Sequence, residues 1–141
     1  MMLMSLEAQF VAIFQLLLAA LLSGLIGIDR ERHARTAGFR THMLVGVGAC
    51  LISVLSVNVF PDDPARVASQ IVVGIGFLGG GTILKEGTSI KGLTTAANIW
   101  ATAAVGLAVG LGAWLLAIVA TILIWIILAI FVRFELHRQR K

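Results

Sequence analysis

The chain alternates long apolar runs with short polar breaks. Five runs stand out: Phe10 to Ile28, Met43 to Phe60, Val67 to Leu84, Thr94 to Gly110 and Trp114 to Val132. Each is close to the roughly 17–25 residues that carry a helix across a bilayer. The pattern predicts an all-α integral membrane protein, a bundle of five transmembrane helices forming one domain over residues 1–141. A basic tail, 133–141, follows the last run.

The charges in the breaks orient the bundle. Arg30, Arg32, Arg35 and Arg40 lie in the first break, Lys85 and Lys91 in the third, and Arg133, Arg138, Arg140 and Lys141 in the tail. Short loops rich in Lys and Arg stay in the cytoplasm, so the amino terminus is expected outside and the carboxyl terminus inside. The outer side then holds the Pro61-Asp62-Asp63-Pro64 turn with Arg66 and the Leu111-Gly112-Ala113 link. A re-entrant third segment would leave four spans and carry Lys85, Lys91 and the tail outside, against the charge bias. No positive residue precedes the first apolar run and no small-residue cleavage site precedes Arg30, so that run is expected to remain as a span and not to be cleaved as a signal peptide.

Composition narrows the function. With 59% apolar and 13% charged residues there is no room for a soluble catalytic domain. No facing titratable pair suggests acid–base catalysis, so the chain reads as a non-enzyme. Cys50 is the only cysteine and the three histidines are scattered, so no metal site and no cofactor is expected. The net charge of +4 comes from residues that punctuate apolar runs and do not form a stripe, which argues against nucleic acid.

One stretch imitates a nucleotide site. "GIGFLGGGTILKEG", Gly74 to Gly87, contains G-x-G-x-x-G at Gly74, Gly76 and Gly79. That fingerprint works only between a strand and a helix whose amino terminus faces a pyrophosphate. Here it falls inside an apolar span, and Gly87 is followed by Thr88 where a phosphate loop needs Lys. No nucleotide is expected. The glycines serve packing better, because helices in lipid associate through small residues that let backbones approach. Ser23 and Gly27, Gly76 and Gly80, and Gly106 and Gly110 have the required spacing, and the expected packing glycines are Gly27, Gly76, Gly79, Gly80, Gly81, Gly106 and Gly110. Three glycines in a row at 79–81 weaken a helix, so the third span is expected to end or break there, with its freed carbonyls buried or in a wet cavity.

The densest ionic stretch is "GIDRERHARTAGFRTHMLVG", Gly27 to Gly46. If the first helix continues past Ile28, Asp29 faces Arg32 and His33 at i+3 and i+4. A candidate cytoplasmic-side polar cluster comprises Asp29, Arg30, Glu31, Arg40, Thr41, Thr82, Lys85, Thr94, Thr95 and Asn98. The plainer reading makes the loop charges topogenic, snorkelling to the headgroups. Thr hydroxyls can bond their own helix, whereas Asn98 needs a cross-helix partner or water. Gln15 and Gln70, in the outer halves of two spans, are placed to bond one another.

The segments "GIDRERHARTAGFRTHMLVGVGA" and "QIVVGIGFLGGGTILKEGTSIKGLTTAANIWATAAVGLAVGLG" resemble the signature regions of the MgtC/SapB family of bacterial inner-membrane proteins, over most of residues 20 to 112. Gly38, Arg40, Thr41 and Gly92 match the family pattern. Asp29 stands where Glu is commoner, Gly80 where Ala is, and Asn98 where Thr or Ser is; some members carry Asn where this chain has Thr94. The resemblance implies a small multi-span domain with its amino terminus outside. Some members add a cytosolic ACT-like domain after the last span, and this chain is expected to lack it. Family members are linked to growth in low magnesium and to survival of intracellular pathogens, and are thought to act by contacting other membrane complexes.

The expectation that follows is a non-enzymatic, multi-pass inner-membrane protein that regulates or binds other membrane proteins in magnesium homeostasis or stress adaptation. Its expected partners are the lipid bilayer and either a second copy of itself, a dimer for instance, or another membrane complex. The alternative is a transporter or channel for Mg²⁺ or another small ion or solute, motivated by Asp29, Glu31 and Glu86 near one bilayer face. No acidic residue lies at mid-span, where ion sites usually reveal themselves.

Overall fold

The computed structural model describes residues 4–138. Five helices are joined by short connections: α1 (Leu6–Arg32), α2 (Phe39–Val59), α3 (Pro64–Gly80), α4 (Leu93–Gly110) and α5 (Trp114–Arg138). Among the described residues, α1, α2 and α4 are long and apolar enough to cross a membrane, and α5 adds the apolar stretch Trp114–Ile130.

Local chemistry sets the ends. Ser5 caps α1 by accepting from the Ala8 N–H at 3.1 Å, and Arg30 and Arg32 in the last turn complement the helix dipole. α1 is 27 residues long and outruns the expected 10–28 at both ends, because its ionic last turn stays helical. α3 opens with Pro64 in its first turn, capped by Asp63, which accepts from the Arg66 N–H at 3.2 Å. At the far end of α4 the chain turns through Gly112 at φ +82°, and the Ala113 N–H bonds back to the Ala108 carbonyl at 2.9 Å.

The third segment departs from expectation. α3 covers Pro64–Gly80, not 67–84; Gly81–Ile83 form a turn, and Leu84 together with the residues expected in the following break forms a two-stranded antiparallel hairpin, β1 (Leu84–Glu86) with β2 (Ser89–Lys91). The glycine run ends the helix without breaking its middle. The Gly79 carbonyl accepts from the Thr82 N–H at 3.0 Å and from its Oγ1 at 2.8 Å, and the Gly80 carbonyl accepts from the Ile83 N–H at 3.1 Å. The freed carbonyls are thus met by a tight turn. Gly87, at φ +60°, supplies the positive first position of the two-residue hairpin loop.

α4 lies at the centre, packed against all four other helices, while α1 packs on α2 and α5, and α2 on α3. One apolar core joins Ile26 of α1, Val54 of α2, Val105 and Val109 of α4 and Ala117 of α5. A second joins Val45 of α2, Ile71 and Ile75 of α3 and Ile99 of α4. The outer surface is lined with large exposed apolar residues such as Leu17, Leu44, Val73 and Leu115.

This arrangement gives the bundle two ends of different character. At one, Gln15 of α1 donates to the Val109 and Gly110 carbonyls of α4 at 2.9 and 3.2 Å, the Ser56 hydroxyl donates to the Pro64 carbonyl, and Phe14 meets Trp114 edge-on with centroids 5.2 Å apart. The expected Gln15–Gln70 pair is not made: at the end of α4 the Val109 carbonyl has only the Gly112 N–H of the turn and the Gly110 carbonyl no backbone donor among the described residues, and both capture Gln15, while Gln70 faces outward. The other end gathers the end of α1, the start of α2, the end of α3, the hairpin and the start of α4. Arg30, Arg32, Arg35, Arg40, Lys85 and Lys91 all sit there.

Candidate functional site

The basic end is built first by the break between α1 and α2. α2 has no side-chain cap of its own. Glu31, on the last turn of α1, supplies one: its Oε2 accepts from the Phe39 N–H at 2.7 Å. Negative charge there complements the amino-terminal dipole of α2. The carboxylate lies so close to Gly38 that an added Cβ would come within 2.8 Å of Oε2. Gly27 admits the same elbow from the other side, since a Cβ there would lie 2.7 Å from the Phe39 Cα.

Asp29 turns inward. Its side chain is 11% exposed, and Oδ1 lies 3.6 Å from Nδ1 of His33, which donates to the Asp29 carbonyl at 2.7 Å. Of the two partners expected for Asp29, His33 is therefore the one beside it. Its Oδ2 is buried without a hydrogen-bond partner among the described residues. Arg30, next along, is 2% exposed.

Deeper in, α2 and α4 meet through a polar pair. His42 is fully buried; its Nδ1 lies 2.8 Å from the Gly38 carbonyl and its Nε2 2.8 Å from Asn98 Nδ2. A carbonyl only accepts, so the ring proton sits on Nδ1 and Nε2 accepts from the Asn98 amide, which describes a neutral imidazole. Thr102 Oγ1 donates to the Asn98 carbonyl at 2.8 Å, and Thr95, one turn before Asn98, is also buried. Asn98 thus has a cross-helix partner. That partner, His42, is the residue the sequence reading left out of the cluster. His42 shares an α2 face with Gly46, Ala49 and Ser53, a 3.6-residue pattern of small buried positions that pointed inward.

The remaining members do not join one constellation. Arg40, Thr41, Lys85 and Thr94 are exposed. Thr82 belongs to the turn after α3, where its carbonyl leaves no room for a Cβ at Gly92, whose φ is +88°. Glu86 pairs with Lys91 across the hairpin at 2.5 Å. The three acids that suggested an ion path are therefore engaged separately: Asp29 beside His33, Glu31 as a cap, Glu86 on the hairpin. Among the described residues no group of three or more His, Cys, Asp or Glu side chains could hold a metal.

The glycines also separate. A Cβ at Gly106 would run into the Gly46 carbonyl of α2, and one at Gly110 would lie 2.6 Å from the Cys50 carbonyl. A Cβ at Gly79 would lie in ordinary contact with Ala96, 3.4 Å from its carbonyl oxygen. Gly81 sits over its own turn, and Gly76 and Gly80 face open space.

A model of the MgtC family matches residues 16–137. The chain belongs to the MgtC family. It is 48% identical over 115 residues to Protein MgtC of Salmonella typhimurium (strain LT2), a match covering 82% of this chain and 50% of that protein. To Protein MgtC of Brucella abortus (strain 2308) it is 53% identical over 107 residues, covering 75% and 45%. To YhiD of Escherichia coli (strain K12), provisionally named a magnesium transporter, it is 41% identical over 138 residues, covering 92% and 64%. The chain thus spans about half to two thirds of the length of these curated relatives. No solved structure matches it. Membership of the MgtC family and its long apolar helices together make this a multi-pass protein of the bacterial inner membrane.

Proposed function

We propose that this MgtC-family chain crosses the membrane five times, with the Arg/Lys-rich end in the cytoplasm, and works without catalysis as a binding or regulatory partner of other membrane proteins in magnesium homeostasis. The observation that carries this reading is the seam between α2 and α4. Backbone meets backbone at Gly106 and Gly110. Four polar side chains along the seam find partners inside the bundle: His42 and Asn98 bond each other, and Ser53 and Thr102 bond carbonyls of their own helices, while Ser23 Oγ of α1, buried against Gly46, has no hydrogen-bond partner among the described residues. A seam this close, with His42 and Asn98 bonded to each other across it, favours a rigid scaffold over a path for a hydrated ion, because Mg²⁺ gives up its water reluctantly and wants octahedral oxygen ligands. The name of one relative, YhiD of Escherichia coli (strain K12), supplies the link to magnesium.

In cells grown in low magnesium, in-membrane cross-linking from the exposed basic end is expected to capture a discrete membrane-protein complex. Purified protein in sealed proteoliposomes is expected to leave an imposed Mg²⁺ gradient intact. A chain that remains alone in the cell membrane under cross-linking would defeat the reading.

One observation favours a second reading, transport of a small cation. The buried Oδ2 of Asp29 lacks a hydrogen-bond partner among the described residues, and a partnerless carboxylate oxygen is a natural cation ligand. Gradient-driven flux that disappears in Asp29→Asn would establish that reading in place of the first.

A further inference from the structure

Two of the apolar grooves on the described outer surface of the bundle differ in one respect. The groove between α2 and α3, about 300 Å³, runs past Leu44, Ile52, Gly74 and Leu78 and holds no charged residue. The groove between α1 and α5, about 380 Å³, is lined by Leu25, Ile28, Thr121, Ile122 and Trp125, with Arg32 at its end. Arg32 is exposed and forms no ion pair with any described residue.

In an inner-membrane protein an outward groove is filled by acyl chains, since an empty one would forfeit dispersion contacts along its whole lining. The α1/α5 groove has the side chains for this: Leu25, Ile28, Ile122 and Trp125 are each between 36% and 52% exposed. The Thr121 hydroxyl is already engaged, donating to the Ala117 carbonyl at 2.8 Å. Arg32 follows Ile28 by four residues on α1 and so stands one helical turn beyond the apolar wall, at the last turn of the helix. A lipid whose tail lies along the wall brings its phosphate to that level. The planar guanidinium fork suits a phosphate. The nearest carboxylates on α1 do not compete for it: Asp29 is turned inward beside His33, and Glu31 caps α2. A zwitterionic headgroup would bring its own cation to the same spot, whereas an anionic one would not.

We propose that the α1/α5 groove is a site selective for anionic phospholipid, with an acyl chain against Leu25, Ile28, Ile122 and Trp125 and the phosphate on Arg32. This site is independent of the α2/α4 seam and of whether the protein regulates or transports.

Trp125 makes the test direct. The whole chain carrying Trp100→Phe and Trp114→Phe has Trp125 as its only tryptophan and can be reconstituted in vesicles of phosphatidylcholine and phosphatidylglycerol with one or the other brominated on its acyl chains. Quenching then reports which lipid occupies the groove. Phosphatidylglycerol is expected to be preferred about fivefold, the scale of one basic residue acting on an anionic headgroup. Arg32→Gln is expected to bring the preference to about one, and Arg32→Lys to keep most of it. A tryptophan placed in the uncharged groove by Ile52→Trp, in a chain whose three native tryptophans are Phe, is expected to report no preference. Equal quenching by the two lipids at Trp125 would overturn the proposal. So would a preference that survives Arg32→Gln, or an equal preference at position 52, since either would assign the selectivity to the general surface charge of the protein.

Discussion

Gly106 and Gly110 on α4 and Gly76 and Gly80 on α3 share the same four-residue spacing, yet the structure uses them in opposite ways. The α4 pair is pressed onto the backbone of α2 at Gly46 and Cys50; the α3 pair looks into open space beside Phe77, which is 84% exposed. The difference lies in what each face meets. α2 presents Gly46, Ala49, Cys50 and Ser53 to α4, a row of small side chains that permits backbone contact. α3 packs through its other side, with Ile71 and Ile75 in the core and Gly79 near Ala96. Small-residue spacing therefore marks a face that can be approached closely, and the approach happens only where the facing helix is equally small.

This contrast can be broken most severely at its tight side. Gly106→Ala forces a methyl into the Gly46 carbonyl and is expected to cost about 3 kcal/mol or more, because two backbones must part; reversible unfolding in mixed detergent micelles would read it. Tolerance within about 0.5 kcal/mol, the size of a neutral surface change, would mean that the seam is looser than described. Next in size, Asn98→Ala leaves the buried His42 Nε2 without a donor and is expected to cost about 1–3 kcal/mol. A double-mutant cycle with His42→Ala should return a coupling of about 0.6–1.7 kcal/mol, the range for hydrogen bonds between membrane helices.

Gln15→Leu, which removes the side-chain donor from the Val109 and Gly110 carbonyls, is expected to cost about 1 kcal/mol, and Gln70→Leu close to nothing. On the open side, Gly76→Ala and Gly80→Ala are expected to hold stability or raise it by up to about 1 kcal/mol through helix propensity. If they instead dissociate an oligomer seen by in-membrane cross-linking while leaving the monomer stable, the open face has a partner outside the chain.

The helices were legible in the sequence because lipid imposes so strong a length and polarity rule that Phe10–Ile28 or Thr94–Gly110 admits few other readings. The segment from Thr82 to Lys91 was harder. Isoleucine and leucine at 83 and 84 extend the hydropathy of α3, and only the alternation of Leu84-Lys85-Glu86 and Ser89-Ile90-Lys91 about Gly87 hinted at strands. Asn98 declared its need for a partner, but one helix says nothing about what faces it across a seam. His42 was masked by standing among Arg40 and Thr41, where it resembled another loop charge. The expected polar cluster mixes inward residues, Thr95 and Asn98, with outward ones, Arg40, Thr41, Lys85 and Thr94, because sequence depth does not reveal which way a side chain faces.

The hairpin at 84–91 has a mechanical corollary. A two-stranded ribbon leaves peptide groups on both outer edges that only water or headgroups can satisfy. It is joined to α4 through Gly92 alone and so acts as a float that cannot be drawn under. With the basic end at the membrane surface, as proposed above, the depth at which the central helix rides would be fixed from one end, and lengthening the apolar part of α4 would push its opposite end, and not the hairpin, through the lipid surface.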